Sequence, residues 1–467
     1  MMQFINRARW TVAVGAVALM PLLVGGCNVK QDLLEPQQPG VIGPTSVTSP
    51  TGAEALRIGA LGQLKSWVAG GGNNGSNVAT FSDLVTDEWA TGDTFSQHNE
   101  ADQRTVQSSN SVLSANYTSA QQARGFALTA INALKQYVPT ATSEIGELYF
   151  AMGFAELSLS EDFCNGVPFG ITVNGVPTYT APLTNADGLK LASARFDTGL
   201  AIATGTDAGS VAIHRLNEIA KARAQIDLGN YAAAAALVAD VPTNYQYLLT
   251  FSLTTTSPEV YTLNGVQASS RFVVGDSFSI INGAVNVIKN ALPFASAGDP
   301  RVPITGSTTN TKKAIDGSTP WAGQLLYGQV DPYPVLTGID ARLIEAEAKL
   351  NANDFAGMFA TLNALRASTQ TIGNKTIPVM AALPTVPATK DAALTLFFRE
   401  KAFWQFGRGW RMGDLRRLIR QYGRTQDTTF PGGSWFKGGT YGTDVNLPMV
   451  DTELTNPNYH GCIDRNA

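Results

Sequence analysis

From Ala53 onward the chain is dominated by apolar positions recurring every three to four residues, the period of an amphipathic helix. Residues 53–69 place Leu56, Ile58, Leu61, Leu64 and Val68 near one face, and the GGGNNGS run at 70–76 ends that helix. Residues 117–138 predict a second helix, stopped by Pro139. Residues 142–162 predict a third, capped by Thr142 or Ser143, with Leu148, Ala151, Met152, Ala155 and Leu159 facing inward. Residues 164–184 are turn-rich, with a hairpin expected around Asn174-Gly175. Helices resume at 186–204 and 209–228. Residues 219–242 and 341–367 then follow one plan: an Ala-rich helix, a short polar turn, an aromatic (Tyr231 or Phe355) and a second helix, running in the first case to Pro242. Small residues that let helices approach, plugged by an aromatic, are the logic of tetratricopeptide hairpins.

Other stretches break this rhythm. Residues 243–334 are rich in Thr, Ser, Gly and Asn, with short strand-like runs at Tyr247–Leu253 and Arg271–Val274. Residues 370–388 and 424–467 are also loop-like. The expected architecture is mostly α: a helical frame in one large domain (51–467) with loop-rich insertions at 243–334 and 424–467. Long loops on a rigid frame are the usual carriers of binding function.

The N-terminus differs from all of this. A basic start is followed by the uncharged apolar run 10–26, 17 residues with Pro21 inside it, which fits a secretory signal better than a membrane span. It ends Val24-Gly25-Gly26-Cys27, similar to the lipobox of bacterial lipoproteins. That similarity implies a signal peptide at 1–26, cleavage before Cys27 and lipidation of Cys27. Residues 27–50, with four prolines, then form an extended tether. Later apolar runs are too short to span a bilayer.

Charge narrows the function. Only 15% of the 467 residues are charged and the net charge is −4, so the excess of Lys and Arg that nucleic-acid binding requires is missing. Three histidines and three cysteines offer little for a structural zinc site. G-x-S-x-G, H-E-x-x-H, phosphate-loop and C-x-x-C motifs are missing. Asp83, Asp87, Glu88 and Asp93 cluster in FSDLVTDEWATGD. Such carboxylates suit glycoside hydrolysis or calcium binding, but the sequence favours a binder without catalysis, cofactor or metal.

The C-terminal third is the most distinctive. In FFREKAFWQFGRGWRMGDLRRL (397–418), Arg399-Glu400 runs into Phe406-Gly407-Arg408-Gly409-Trp410-Arg411 and Gly413-Asp414-Leu415-Arg416-Arg417. This resembles the signature of the SusD/RagB family of outer-membrane nutrient-uptake lipoproteins. Tyr333-Pro334-Val335 ahead of Glu345-Ala346-Glu347-Ala348, then Leu362-Asn363-Ala364-Leu365-Arg366, Cys164-Asn165-Gly166-Val167-Pro168 and the closing Leu447-Pro448…Asn456-Pro457 agree in order. Trp404, Phe406, Gly409 and Thr337-Gly338 depart from the pattern. The dense charge around Phe403, Phe406 and Trp410 is expected to be a paired network pinning a helix corner.

The resemblance implies a SusD-like fold, a surface-exposed outer-membrane location through the lipid anchor, and a SusC-like TonB-dependent transporter as partner. The ligand would be an oligosaccharide or peptide; the alternative is a helical-repeat scaffold lipoprotein of outer-membrane assembly that binds no nutrient. Sugars need flat aromatics and polar rims. Trp89, Phe95, His98 and Asn99 in the excursion 88–104 offer that mixture, as do Trp321 and Tyr327, and Trp435 and Tyr441 in a Gly-rich late loop. Trp89 and Trp321 lead this set, core burial being the alternative for both. With Cys27 lipidated, Cys164 and Cys462 are expected to pair, two buried thiols being the alternative.

Overall fold

The computed structural model describes residues 47–70, 75–173, 176–264, 270–281, 284–309 and 312–467. Cys27, the signal peptide and most of the tether lie outside the described residues, as do the turn residues Asn174 and Gly175.

Helices supply the frame. The first five are α1 (Pro50–Val68), α2 (Val78–Val85), α3 (Ser96–Gln103), α4 (Ser111–Tyr137) and α5 (Thr142–Asp162). They are followed by α6 (Asn185–Ile202), α7 (Ala208–Asp227), α8 (Tyr231–Val238), the short α9 (Glu259–Asn264), α10 (Gly338–Asn351), α11 (Phe355–Arg366), α12 (Lys390–Trp404) and α13 (Arg411–Arg420). Contacts run α1 to α4, α4 to α5, and onward pairwise through α6, α7 and α8 to α10 and α11, so successive antiparallel hairpins share one core. Among the described residues, no helix is long and apolar enough to cross a membrane.

The expected helices form, with shifted ends. The first begins at Pro50, where Ser49 accepts a hydrogen bond from Gly52, so it takes in the last residue of the expected tether. Its buried stripe is Ala53, Ala60, Leu64, Trp67 and Val68, while Ile58 lies outward and 60% exposed. Helix α4 starts at Ser111 because Asn110 accepts from the amides of Val112 and Leu113. Helix α5 has no side-chain cap, contrary to the Thr142 or Ser143 expectation. From Gly153 to Asp162 every residue of α5 is buried, because α4, α6, α7 and α13 surround it. In the hairpin α7–α8, Gly229 takes the left-handed conformation (φ +81°) and α8 ends at Val238, four residues before Pro242.

The strands are short antiparallel pairs. Ile171–Val173 pairs with Val176–Thr178, flanking the expected hairpin turn. Gln370–Ile372 and Lys375–Ile377 make a second hairpin where a loop was expected. Tyr333–Thr337 pairs with Gln246–Leu249, so both ends of the 243–334 insertion are fastened to one ribbon beneath α10. Thr337 and Asp340 close a capping box there.

The charged signature is a paired network in the interior. Glu347 binds Arg417 and, at 3.2 Å, Lys401. Arg408 grips Asp340 at 2.5 Å and the carbonyl of Val335 at 2.9 Å. Glu400 takes Arg301 at 2.7 Å and Arg366 at 3.0 Å. Arg223 pairs with Glu161 while its guanidinium lies 3.6 Å from the Trp410 ring.

Cys164, just past α5, is disulfide-bonded to Cys462 across 298 residues of chain, and Asn165 bridges Asp464 beside it. Closing so long a loop restricts the unfolded chain. Cys462→Ser is expected to lower unfolding free energy by about 2–5 kcal/mol in guanidinium titrations without changing far-ultraviolet dichroism. Wild-type protein treated with reductant should match it.

Candidate functional site

Three expected loops meet at one place. Trp89–Thr91 forms a strand paired antiparallel with Phe272–Val274, which joins the 88–104 excursion to the middle insertion. Asp316 donates its amide to the carbonyl of Gly92, and Gly92 itself bonds Arg271. The late loop closes over both: Gln103 donates to the Thr440 carbonyl at 2.9 Å, and Gly442 donates back to the Gln103 carbonyl at 2.7 Å.

Alternation along the short strand decides which residues reach the surface. Adjacent strand residues face opposite sides. Trp89 and Thr91 face the core and have no exposure, while Ala90 faces outward between two small apolar clusters. One cluster holds Ile288, Trp435, Phe436 and Tyr441; the other holds Val273, Ala314 and Trp321.

Most of the aromatics expected to meet ligand are therefore interior. The Trp89 ring packs 4.8 Å from Phe406, and its Nε1 donates to the Ala79 carbonyl. Tyr327 is buried against Tyr333 at 5.3 Å, and its hydroxyl donates to the carbonyl of Phe406. Trp321 is 4% exposed, with the Lys312 ammonium 3.5 Å from its ring. Trp435 and Tyr441 are buried too, the Tyr441 hydroxyl donating to Asp87 at 3.2 Å. His98 is fully buried, with Nδ1 2.8 Å from Asp93. Trp89, His98 and Tyr327 pack against the interior rings of Phe406, Phe272 and Tyr333, which is why burial prevails over exposure there.

Phe95 and Asn99 do reach the surface. Phe95 precedes α3, is 44% exposed, and is braced from the protein side by His98, whose ring stacks at 5.6 Å. The Arg271 guanidinium lies 4.4 Å from the Phe95 ring and bonds Asp93 at 3.2 Å. Asn99, one turn on, is half-buried and accepts from Lys437. Exposed Ile315 lies on the neighbouring insertion, whose Asp316 pairs with Lys437. The result is an exposed phenyl ring with a guanidinium neighbour and the Asn99 amide one turn along the helix. Arg271 and Lys437 escaped sequence reasoning; Lys437 had a usable signal, being the lone charge between Gly432-Gly433 and Gly438-Gly439.

Beneath this surface lies the acidic cluster. Asp83, Asp87 and Glu88 are at most 1% exposed, sealed from any surface cleft. Asp83 accepts from the amide of Gly409 and Glu88 from that of Gly407, each at 2.9 Å. Burial pushes Asp83 well up and Glu88 to about 7, and it raises Asp102 and Asp162 to about 7 as well. Asp93 goes the other way: burial pushes it up, but His98 and Arg271 hold it below the usual carboxylate range.

A groove of about 650 Å³ lies elsewhere, between α10, α11 and the turn before Gln246–Leu249. Thr243, Asn244, Arg342, Glu345, Thr361 and Ser368 line it with polar groups, and no aromatic contributes.

Two predictions follow from burial. Trp89→Ala should cost about 3–5 kcal/mol of stability, the range for emptying a large aromatic site, whereas Phe95→Ala should cost far less; paired denaturant titrations measure the difference. The acid cluster sets a pH slope. These carboxyls hold protons more tightly folded than unfolded, so the folded state is disfavoured as pH climbs from about 4, the unfolded carboxyl range, through 7. Glu347, which Arg417 and Lys401 hold at about 2 against burial, has the opposite sign: its contribution is present above about 4 and lost as pH falls toward 2. The melting temperature should therefore be higher at pH 5 than at pH 8, and Asp83→Asn should flatten that slope.

The sequence matches no protein-family model and no curated protein. Solved structures do resemble it. A SusD-like carbohydrate binding protein from Bacteroides fragilis superposes with TM-score 0.63 at 15% identity, covering 88% of this chain and 99% of that one. A SusD superfamily protein from Parabacteroides distasonis gives 0.61 at 13% identity, covering 89% and 99%. NanU of B. fragilis gives 0.59 at 12%, covering 93% and 100%. At these identities the likeness establishes the fold: this chain has the SusD-like fold over most of its length.

Proposed function

We propose that this protein is a non-catalytic carbohydrate-binding lipoprotein of the SusD type. It takes up oligosaccharide at the surface around Phe95 and Asn99 and delivers it to a SusC-like TonB-dependent transporter in the outer membrane. The observation that carries the reading is the convergence of three loops, distant in sequence, on an exposed, braced phenyl ring flanked by hydrogen-bonding groups. Apolar sugar faces suit the ring, and hydroxyls suit the amide and guanidinium. The name of the B. fragilis structural neighbour, a carbohydrate binding protein, supports the ligand class. Burial of the acidic cluster supports binding over hydrolysis, because its carboxyls lie in the core. Lipidation at Cys27 and capping of the transporter rest on the sequence resemblance.

A peptide ligand is the second reading, favoured by the aromatic-free groove beside Asn244 and Arg342, whose size and mixture of apolar, hydroxyl, amide and charged groups suit extended backbone.

Arrays of glycans and of peptides, probed with the chain from Asn28 onward, separate the two. Glycan binding should appear and fall roughly tenfold in Phe95→Ala, with melting temperature kept. Peptide binding that Phe95→Ala leaves unchanged and Asn244→Ala weakens would transfer the function to the groove.

A further inference from the structure

Lys437 occupies an unusual position. Its ammonium has three protons to donate and three acceptors within reach, two in the first excursion and one in the middle insertion. They are the Asp93 carbonyl at 2.6 Å, Asn99 Oδ1 at 3.2 Å and Asp316 Oδ2 at 3.1 Å. Asp93 and Asn99 belong to the first excursion, Asp316 to the middle insertion and Lys437 to the late loop. One cation thus joins all three, and its side chain is 15% exposed.

We infer that Lys437 is the positioning residue of the ligand surface, and that it sets the surface's hydrogen-bonding polarity. The inference rests on the carbohydrate-binding reading above. The chemistry follows from saturation: with all its protons engaged, Lys437 offers nothing to a ligand and acts through its partners. By donating to Asn99 Oδ1 it fixes which way that amide points. The carbonyl oxygen is turned toward the protein and Nδ2, which has no partner among the described residues, is left as the outward group. Arg271, beside Phe95, also offers only N–H groups, and its side chain is 18% exposed. The rim around Phe95 is thereby a donor rim. It selects sugars that place acceptor oxygens, such as hydroxyl, ring or acyl oxygens, against Asn99 and Arg271.

The loop that carries Lys437 is rich in glycine and is tied at its far end to Gln103. Gly433, Gly438 and Gly439 all have positive φ (91°, 111° and 80°), and nothing lies within contact distance of a side chain added at Gly438. Backbone bonds from Trp435 to Gly439 and from Tyr441 to Gly433 close the loop on itself. Within it, Lys437 is the side chain that reaches Asp93, Asn99 and Asp316.

The test uses two variants and two readouts. Asn99→Asp keeps an acceptor for Lys437 but replaces the outward donor with an acceptor. It should bind the glycan identified on the array roughly tenfold more weakly, with hydrogen–deuterium exchange over 93–103 unchanged. Lys437→Met should raise exchange over 93–103 and 432–441 and weaken binding by a similar factor, and Lys437→Arg should recover part of both. Wild-type affinity in Asn99→Asp overturns the donor rim. Wild-type exchange in Lys437→Met overturns the clamp, even if the wild type binds glycan well. If the wild type binds no glycan while Lys437→Met still loosens 93–103, the carbohydrate reading fails and the clamp stands.

Discussion

The contact on which the molecule turns is a pair of backbone amides reaching two buried carboxyls. Gly407 and Gly409, both in the left-handed conformation within the C-terminal signature, point their N–H groups at Glu88 and Asp83. A residue with a side chain at either position would be strained, and at Gly409 it would also meet the Val78 carbonyl at 2.9 Å. This turn is held from behind by Arg408 on Asp340 and by the cluster of Lys401, Asp414 and Arg417 on Glu347. Breaking one partner of such a buried set leaves a charge without compensation, so the set behaves as one rigid block. The strand Trp89–Thr91 starts at the residue after Glu88. The excursion proposed to face ligand therefore begins beside a carboxyl that the signature turn holds in the core.

That origin explains the two fates of neighbouring residues. A strand of three residues anchored at its first position has no freedom to choose its register. Trp89 is committed to the core beside Phe406, Ala90 to the outer side, and the chain then turns at Asp93 into α3. Asp93 takes up His98, Arg271 and the amide of Phe95 together, and so presents a phenyl ring where the sequence suggested an indole. The indoles lie beneath, keeping the short strands from collapsing.

The helical frame was legible because it depends on local periodicity. The repeated Ala-rich hairpins and the charged signature carry their meaning within 20 to 30 residues. The surface was legible only as a set of loops. The excursions 88–104, 243–334 and 432–441 do converge, but which aromatic faces out depends on strand register between Trp89–Thr91 and Phe272–Val274, a pairing across more than 180 residues. Exposure of Ile58 has the same kind of cause: its place on α1 falls outside the stripe that α4 covers. Lys437 could have been noticed as the lone charge in a glycine-rich loop, yet its three acceptors come from Asp93, Asn99 and Asp316, which no local pattern connects.

The threading of the tail has a consequence for the outer face. Helices α1 to α8 pack on one another within residues 50–238, whereas the acids at 83 and 88 depend on glycine amides more than 300 residues later. The late loop and Cys462 lie beyond α13, and with them the cluster that packs on Ala90 and the covalent tie to Cys164. Closure of the outer face therefore waits on residues far along the chain from the frame that they cover.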